Sequence, residues 1–174
     1  AGAAAAMGYD LDRLEAVSRR MVSDVRSIGV GLASCIIPET GRPNYLIENG
    51  TMEIGVGHHG LSSKDTCKLR SANATVDIML GEILGDMPLD AASRVAVMIS
   101  GLGNTMLSEL NILFSRVYDV LTAKGVRICR SMVGNYFTSL DMMGATLTIM
   151  RLDDETLSLL NYPGYAVAFS HFCL

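Results

Sequence analysis

The residues best equipped for chemistry in this chain are His58 and His59, two of its three histidines, set in the run Met-Glu-Ile-Gly-Val-Gly-His-His-Gly that ends at Gly60. Imidazole is the side chain poised between acid, base, nucleophile and ligand near neutral pH. With an unperturbed pKa of about 6.5, most of it is neutral at pH 7, and a neutral ring nitrogen carries a lone pair that can attack a carbonyl carbon. Gly57 and Gly60 flank the pair. Without Cβ atoms at those positions the backbone has room for a small ligand to reach the imidazole. The same pattern serves a structural histidine in a turn equally well. A metal centre is disfavoured, because adjacent histidines on a strand point to opposite faces and no third ligand is near in sequence.

Other candidates are weaker. The stretch from Gly101 to Leu110, GLGNTMLSEL, could cradle an anion at a helix N-terminus, but it lacks the third glycine of a dinucleotide fingerprint and the Gly-Lys-Ser/Thr of a P-loop, so a structural turn and helix start is expected. Asp141 falls in a connection and the pair Asp153–Asp154 opens a helix, which makes both structural expectations rather than acid–base groups. Cys35, Cys67, Cys129 and Cys173 are widely spaced within mostly apolar runs, which fits reduced thiols rather than a disulfide framework or a metal site.

These residues need a scaffold, and the chain alternates between strand and helix patterns. Asp10 caps a helix whose apolar positions Leu11, Leu14, Val17, Met21, Val25 and Ile28 recur until Gly29. A strand follows to Pro38, then turns, then the histidine-bearing strand, then a polar loop from Leu61 to Ser71. A helix over 74–84, a buried strand over 94–104 and a helix over 105–125, with a stripe of Leu107, Leu110, Phe114, Val117 and Leu121, come next. Two more strands, over 126–137 and 144–152, and a capped helix over 153–161 complete the reading. The expectation is an α/β fold of two layers and a single domain over residues 1–174.

Composition narrows the function. With 18 acidic against 14 basic residues, and the arginines dispersed, there is no electrostatic footprint for nucleic acid. No apolar run is long enough for a membrane span and no secretory signal is visible, so a cytoplasmic location is expected. The opening AGAAAAMGYD lacks an initiating methionine and reads as a helix under way, which suggests a fragment.

Taken in order, AGAAAA, RSIGVGLASCIIPETGRPNY, MEIGVGHHG, GLGNTMLSELN and VGNYFTSLDMMGATLTIMRLDDETL resemble the substrate-binding K domain of the dihydroxyacetone kinases, from end to end of the chain. The resemblance implies the second subdomain of a K domain, with a mixed sheet of about six strands under packed helices. It implies a homodimer in which His59 binds the ketone carbon of dihydroxyacetone as a covalent hemiaminal, with Gly57 and Gly60 shaping the approach. It implies no cofactor on this chain: ATP and magnesium, or a tightly bound ADP rephosphorylated by a phosphotransferase relay, belong to a separate L domain or subunit, and an acid–base aspartate to the preceding subdomain. The chain departs from the family pattern at Leu61, where glutamate is usual, at His58, where an aliphatic residue is usual, and at Ser100-Gly101-Leu102-Gly103 in place of Asn-Asn-Leu-Gly. The family also contains kinases for other short ketoses such as erythrulose, and non-catalytic regulators that bind dihydroxyacetone.

Overall fold

The computed structural model describes residues 1–57, 63–167 and 169–171. In chain order the elements are α1 (Gly2–Ala6), α2 (Leu11–Ser23), β1 (Val25–Ala33), β2 (Ile36–Ile37), β3 (Arg42–Pro43), β4 (Thr51–Ile54), β5 (Asp65–Lys68), α3 (Ala72–Asp86), β6 (Arg94–Gly101), α4 (Leu107–Ala123), β7 (Arg127–Gly134), β8 (Met143–Arg151), α5 (Asp154–Asn161), β9 (Gly164–Ala166) and β10 (Phe169–His171). Six strands form one sheet in the order β5-β4-β1-β8-β6-β7. Only β6 and β7 run parallel, joined through α4, so the sheet is mixed, as the resemblance implies.

One face of the sheet makes the core. Alternation along β1, β6 and β8 turns Ile28 and Val30, Val95, Val97 and Ile99, and Ala145, Leu147 and Ile149 towards Val76, Met79, Leu80 and Ile83 of α3 and Leu110, Val117 and Leu121 of α4. Asp77 and Arg116 tie the two helices across their solvent side through paired contacts of 2.9 and 3.0 Å. Leu110 is fully enclosed, so Leu110→Ala is expected to cost about 2–5 kcal/mol in urea unfolding through lost burial and the cavity left behind. Phe114, expected to be equally buried, is only partly buried at the edge of the core, and Phe114→Ala should cost less than Leu110→Ala, roughly 1–2 kcal/mol. Equal losses at both positions would contradict this packing. Leu107, at the start of the predicted stripe, faces solvent.

Two boundaries differ from the sequence reading. The helical pattern predicted to run to Ile28 stops at Ser23, and Val25 and Ile28 belong to β1, where they pair with Met150 and Leu147 of β8. Their β-branched side chains suit the pleat, and strand pairing along nine residues outweighs a helical spacing that merely continues. The polar segment predicted as a loop from Leu61 contains β5, which pairs with β4 from Thr51↔Lys68 to Ile54↔Asp65. An edge strand with only Cys67 turned inward carries no apolar alternation to reveal it.

A second, smaller cluster joins Ala4 of α1, Val17 of α2 and Leu159 of α5. It is fastened on the surface by Glu155, whose carboxylate accepts from Tyr9 Oη at 2.9 Å, Arg13 Nη2 at 2.9 Å and Arg20 Nη2 at 2.6 Å. The bonds from Arg20, Arg13 and Tyr9 hold the Glu155 carboxyl down to about 2, against an ordinary value of 4.5. A lowered folded-state pKa stabilises above the unfolded value and is lost as pH falls through the folded one. The support from Glu155 is therefore complete above about pH 4.5 and disappears towards pH 2. Glu155→Gln should melt at a lower temperature than the parent chain at pH 7, with the gap closing as the pH approaches 2. A gap that stays constant across that range would contradict the assignment.

Candidate functional site

The segment carrying the histidines leaves the sheet at the end of β4. Met52 and Ile54 point into the core, and the next residue, Gly55, has φ of +75°, which ends the strand. The Gly29 carbonyl accepts both the Gly55 N–H at 2.7 Å and the Val56 N–H at 3.3 Å, while Lys64 N–H donates to the Ile54 carbonyl at 2.8 Å. The excursion from Gly55 to Lys64 is thereby pinned at both ends. Lys64 is further held by an ion pair with Glu82 of α3. Gly57 is half-exposed just beyond the pinned entry. His58, His59, Gly60 and Leu61 lie outside the described residues.

What positions this entry is the sheet face opposite the helices. There β1 presents Gly29 and Gly31 where a side chain would collide: a Cβ on Gly29 would meet the Val56 carbonyl oxygen at 2.6 Å, and one on Gly31 would meet Met142 Cε at 2.8 Å. The two glycines let Val56 and Met142 lie directly on the strand, where they join Cys35 and Leu102 in a separate buried cluster. Tyr45 and Ile47, from the turn-rich stretch between β3 and β4, pack against that cluster. The Tyr45 hydroxyl is enclosed, with the Glu53 carboxylate beside it. Burial first, and then the Glu53 carboxylate, push its pKa up to about 12, so it is a neutral phenol at physiological pH. Sequence reasoning missed Tyr45, Cys35 and Met142 as neighbours of this segment, because they come from separate stretches with no shared periodicity.

The GLGN turn is occupied by the protein's own groups. Asn104 N–H donates to the Met142 carbonyl at 3.1 Å, and Thr105 Oγ1 donates to the Gly144 carbonyl at 2.7 Å while accepting the Gly144 N–H at 2.9 Å. Gly103 has φ of +128°, and a Cβ there would sit 2.0 Å from the Leu140 carbonyl oxygen. This is the structural turn that the sequence predicts. Ser100, one of the departures from the family pattern, accepts the N–H groups of Tyr136 and Phe137 at 3.1 and 3.0 Å, closing the loop after β7 over the end of β6. Asp141 accepts the Ile36 N–H at 2.7 Å, and Asp153 caps α5 by accepting the Thr156 N–H at 2.7 Å. Asp154 pairs with Arg94 at 2.7 Å. All three carboxylates hold the fold together, as expected. Cys35, Cys67 and Cys129 are free thiols, and Cys173 lies outside the described residues. Among the described residues no three His, Cys, Asp or Glu side chains converge as metal ligands, and no helix is long and apolar enough to cross a membrane.

Comparison with known proteins places this arrangement. The chain is 38% identical, over 94% of its own length, to the dihydroxyacetone-binding subunit DhaK of the PTS-dependent dihydroxyacetone kinase 2 of Listeria innocua, of which it covers 49%. It is 35% identical over 89% of its length to the L-erythrulose 1-kinase of Mycolicibacterium smegmatis, covering 28% of that protein. The chain thus spans about half the length, or less, of the curated relatives it matches. Its fold superposes with a TM-score of 0.87 on the dihydroxyacetone kinase operon co-activator Dha-DhaQ, at 24% identity, covering 93% of this chain and 50% of that one. Residues 1–168 match the Dak1 domain, and the chain belongs to the Dak1 domain family.

Proposed function

We propose that this domain is the second subdomain of the substrate-binding subunit of a dihydroxyacetone kinase, and that His59 captures the ketose as a hemiaminal. The observation that carries the reading is 38% identity to a dihydroxyacetone-binding subunit along 94% of the chain. In the capture step the neutral imidazole nitrogen adds to the ketone carbon, the carbonyl π pair moves to oxygen, which takes a proton from solvent, and the other ring nitrogen gives up its N–H proton, so that the net change is addition of N–H across the C=O bond with no leaving group. Only a carbonyl compound can form that bond, so the step separates ketoses and aldoses from polyols such as glycerol. Gly57 and Gly60 leave room for the hydroxymethyl arms beside the ring. The carbonyl need not be that of dihydroxyacetone: the 35% identity to an L-erythrulose 1-kinase supports a four-carbon ketose as the second reading.

Phosphoryl transfer needs a metal-bound nucleotide and preorganised positive charge, and this chain carries no P-loop. The nucleotide is assigned to a separate L domain or subunit, with ATP and magnesium or a phosphorylated ADP, and the acid–base aspartate to a preceding subdomain. The full subunit is taken to work as a homodimer in the cytoplasm. A coupled assay comparing this chain, the full subunit, and the full subunit with its L partner tests the division of labour, with dihydroxyacetone and L-erythrulose as alternative substrates. Turnover is expected only in the last mixture. Turnover by this chain alone would overturn the reading, and ketose binding by the full subunit without turnover in any mixture would replace it with a ligand-sensing regulator.

A further inference from the structure

The turn that leads into β4 carries Asn49-Gly50, the one place in the chain where glycine follows asparagine. Asn44, Asn73, Asn104, Asn111, Asn135 and Asn161 precede tyrosine, alanine, threonine or isoleucine. Glycine matters here because its backbone nitrogen, with no Cβ beside it, can reach the carbonyl carbon of the preceding side-chain amide. The structure leaves that approach open. Both residues are exposed, and a Cβ built on Gly50 would meet nothing within 4 Å. Gly50 has φ of +80° as the third residue of the turn Glu48–Thr51, in which the Thr51 N–H and Oγ1 donate to the Glu48 carbonyl at 3.0 and 2.6 Å. The Gly50 carbonyl accepts the Leu69 N–H at 2.8 Å. Among the described residues neither the Gly50 N–H nor the Asn49 amide has a hydrogen-bond partner, so nucleophile and target are both free. Asn111 shows the opposite case: its Nδ2 donates to the Leu107 carbonyl at 2.8 Å, and the nitrogen that follows it lies within α4.

We infer that Asn49 is a site of self-catalysed deamidation, and that its isoaspartyl product loosens β5 from β4. The Gly50 nitrogen gives its proton to solvent and adds to Asn49 Cγ, the bond from Cγ to the amide nitrogen breaks, and ammonia leaves a succinimide ring. Water then opens the ring at either carbonyl, so the net change is one water consumed and one ammonia released, with no change of oxidation state. Opening at Cγ gives aspartate. Opening at the main-chain carbon gives isoaspartate, in which the chain runs through Cβ and Cγ and the backbone gains one atom inside a tight turn. The Thr51 bonds to the Glu48 carbonyl then lose their closure, and the Gly50 carbonyl is drawn away from Leu69. Strand β5 is a short polar strand at the edge of the sheet, its pairing with β4 beginning at Thr51↔Lys68, so the damage falls where few apolar contacts resist opening. The reaction is independent of ketose capture.

Peptide mapping of the full chain during incubation in mildly alkaline buffer tests it, beside a free peptide spanning residues 46–55. The Asn49 peptide is expected to gain about 1 Da, the exchange of NH2 for OH, and to split into aspartyl and isoaspartyl forms at a rate comparable to that of the free peptide. The other asparagines should stay intact. Hydrogen exchange of the aged chain should show amide protection lost over β4 and β5 and kept in β6 and β8. Asn49→Gln keeps an amide but requires a larger ring, so it should stop both changes and leave the melting temperature of the fresh chain where it was. An Asn49 that stays intact in the folded chain over the time in which the free peptide reacts overturns the inference. So does earlier deamidation at another asparagine, conversion to isoaspartate with β4 and β5 protected as before, or equal loss of protection in aged Asn49→Gln.

Discussion

His59→Ala in the full-length subunit is expected to weaken dihydroxyacetone binding by roughly a hundredfold or more, which corresponds to about 2.7 kcal/mol. The substitution removes the only group proposed to bond the ketone carbon, and what remains is hydrogen bonding to a small polar molecule that water solvates equally well. His58→Ala should change affinity by less than about threefold, since the reading gives the bond to the ketone carbon to His59 alone. Titration calorimetry against both variants, with glycerol as a non-carbonyl control, reads the difference. Comparable losses at the two positions would mean that the histidines act as a structural pair.

The largest stability effect is expected at Gly144. Its φ is +149°, and a Cβ built there would stand 2.1 Å from the Val30 carbonyl oxygen and 2.9 Å from Leu102 Cδ1. The first of those atoms is backbone in the adjacent strand and cannot rotate away, so β1 and β8 would have to separate where Thr105 bridges the Gly144 N–H and carbonyl. Overpacking and backbone strain of this kind cost on the order of 3 kcal/mol or more together. Gly81, on the exposed side of α3 with nothing within 4 Å of a new Cβ, provides the contrast. Gly81→Ala should stabilise by roughly 0.5–1 kcal/mol through improved helix propensity. Chemical denaturation of the two variants beside the parent chain measures both, and a Gly144→Ala variant as stable as the parent would contradict the tight β1–β8 contact.

The elements whose signal is local were legible from residues alone. The strands β6 and β8 are continuous or alternating apolar runs, α4 has its stripe and its closing Gly125, and α5 has Asp153 and Thr156 in capping positions. Where pairing rather than pattern decides, the sequence was silent. The polar strand β5 exists because β4 offers it hydrogen bonds, and the end of α2 is set by what Val25 does across the sheet with Met150. The hairpin of β9 and β10, unpredicted, follows a Pro-Gly turn signal too short to assign without its partner. The site divides in the same way. His59 stands out because glycines flank it, a local feature. The scaffold at the entry to its segment does not: Gly29 and Gly31 read as breaks in a strand until Val56 and Met142 are seen lying on them.

The central claim is that His59 forms a bond to a carbonyl carbon, and intact-mass measurement of the full-length subunit with dihydroxyacetone, followed by peptide mapping under the same mild conditions, addresses it directly. The mass is predicted to rise by one dihydroxyacetone, with the adduct on the peptide containing His59 and absent from His59→Ala. No mass increase, or an adduct mapped to His58 or to Lys64, would contradict it.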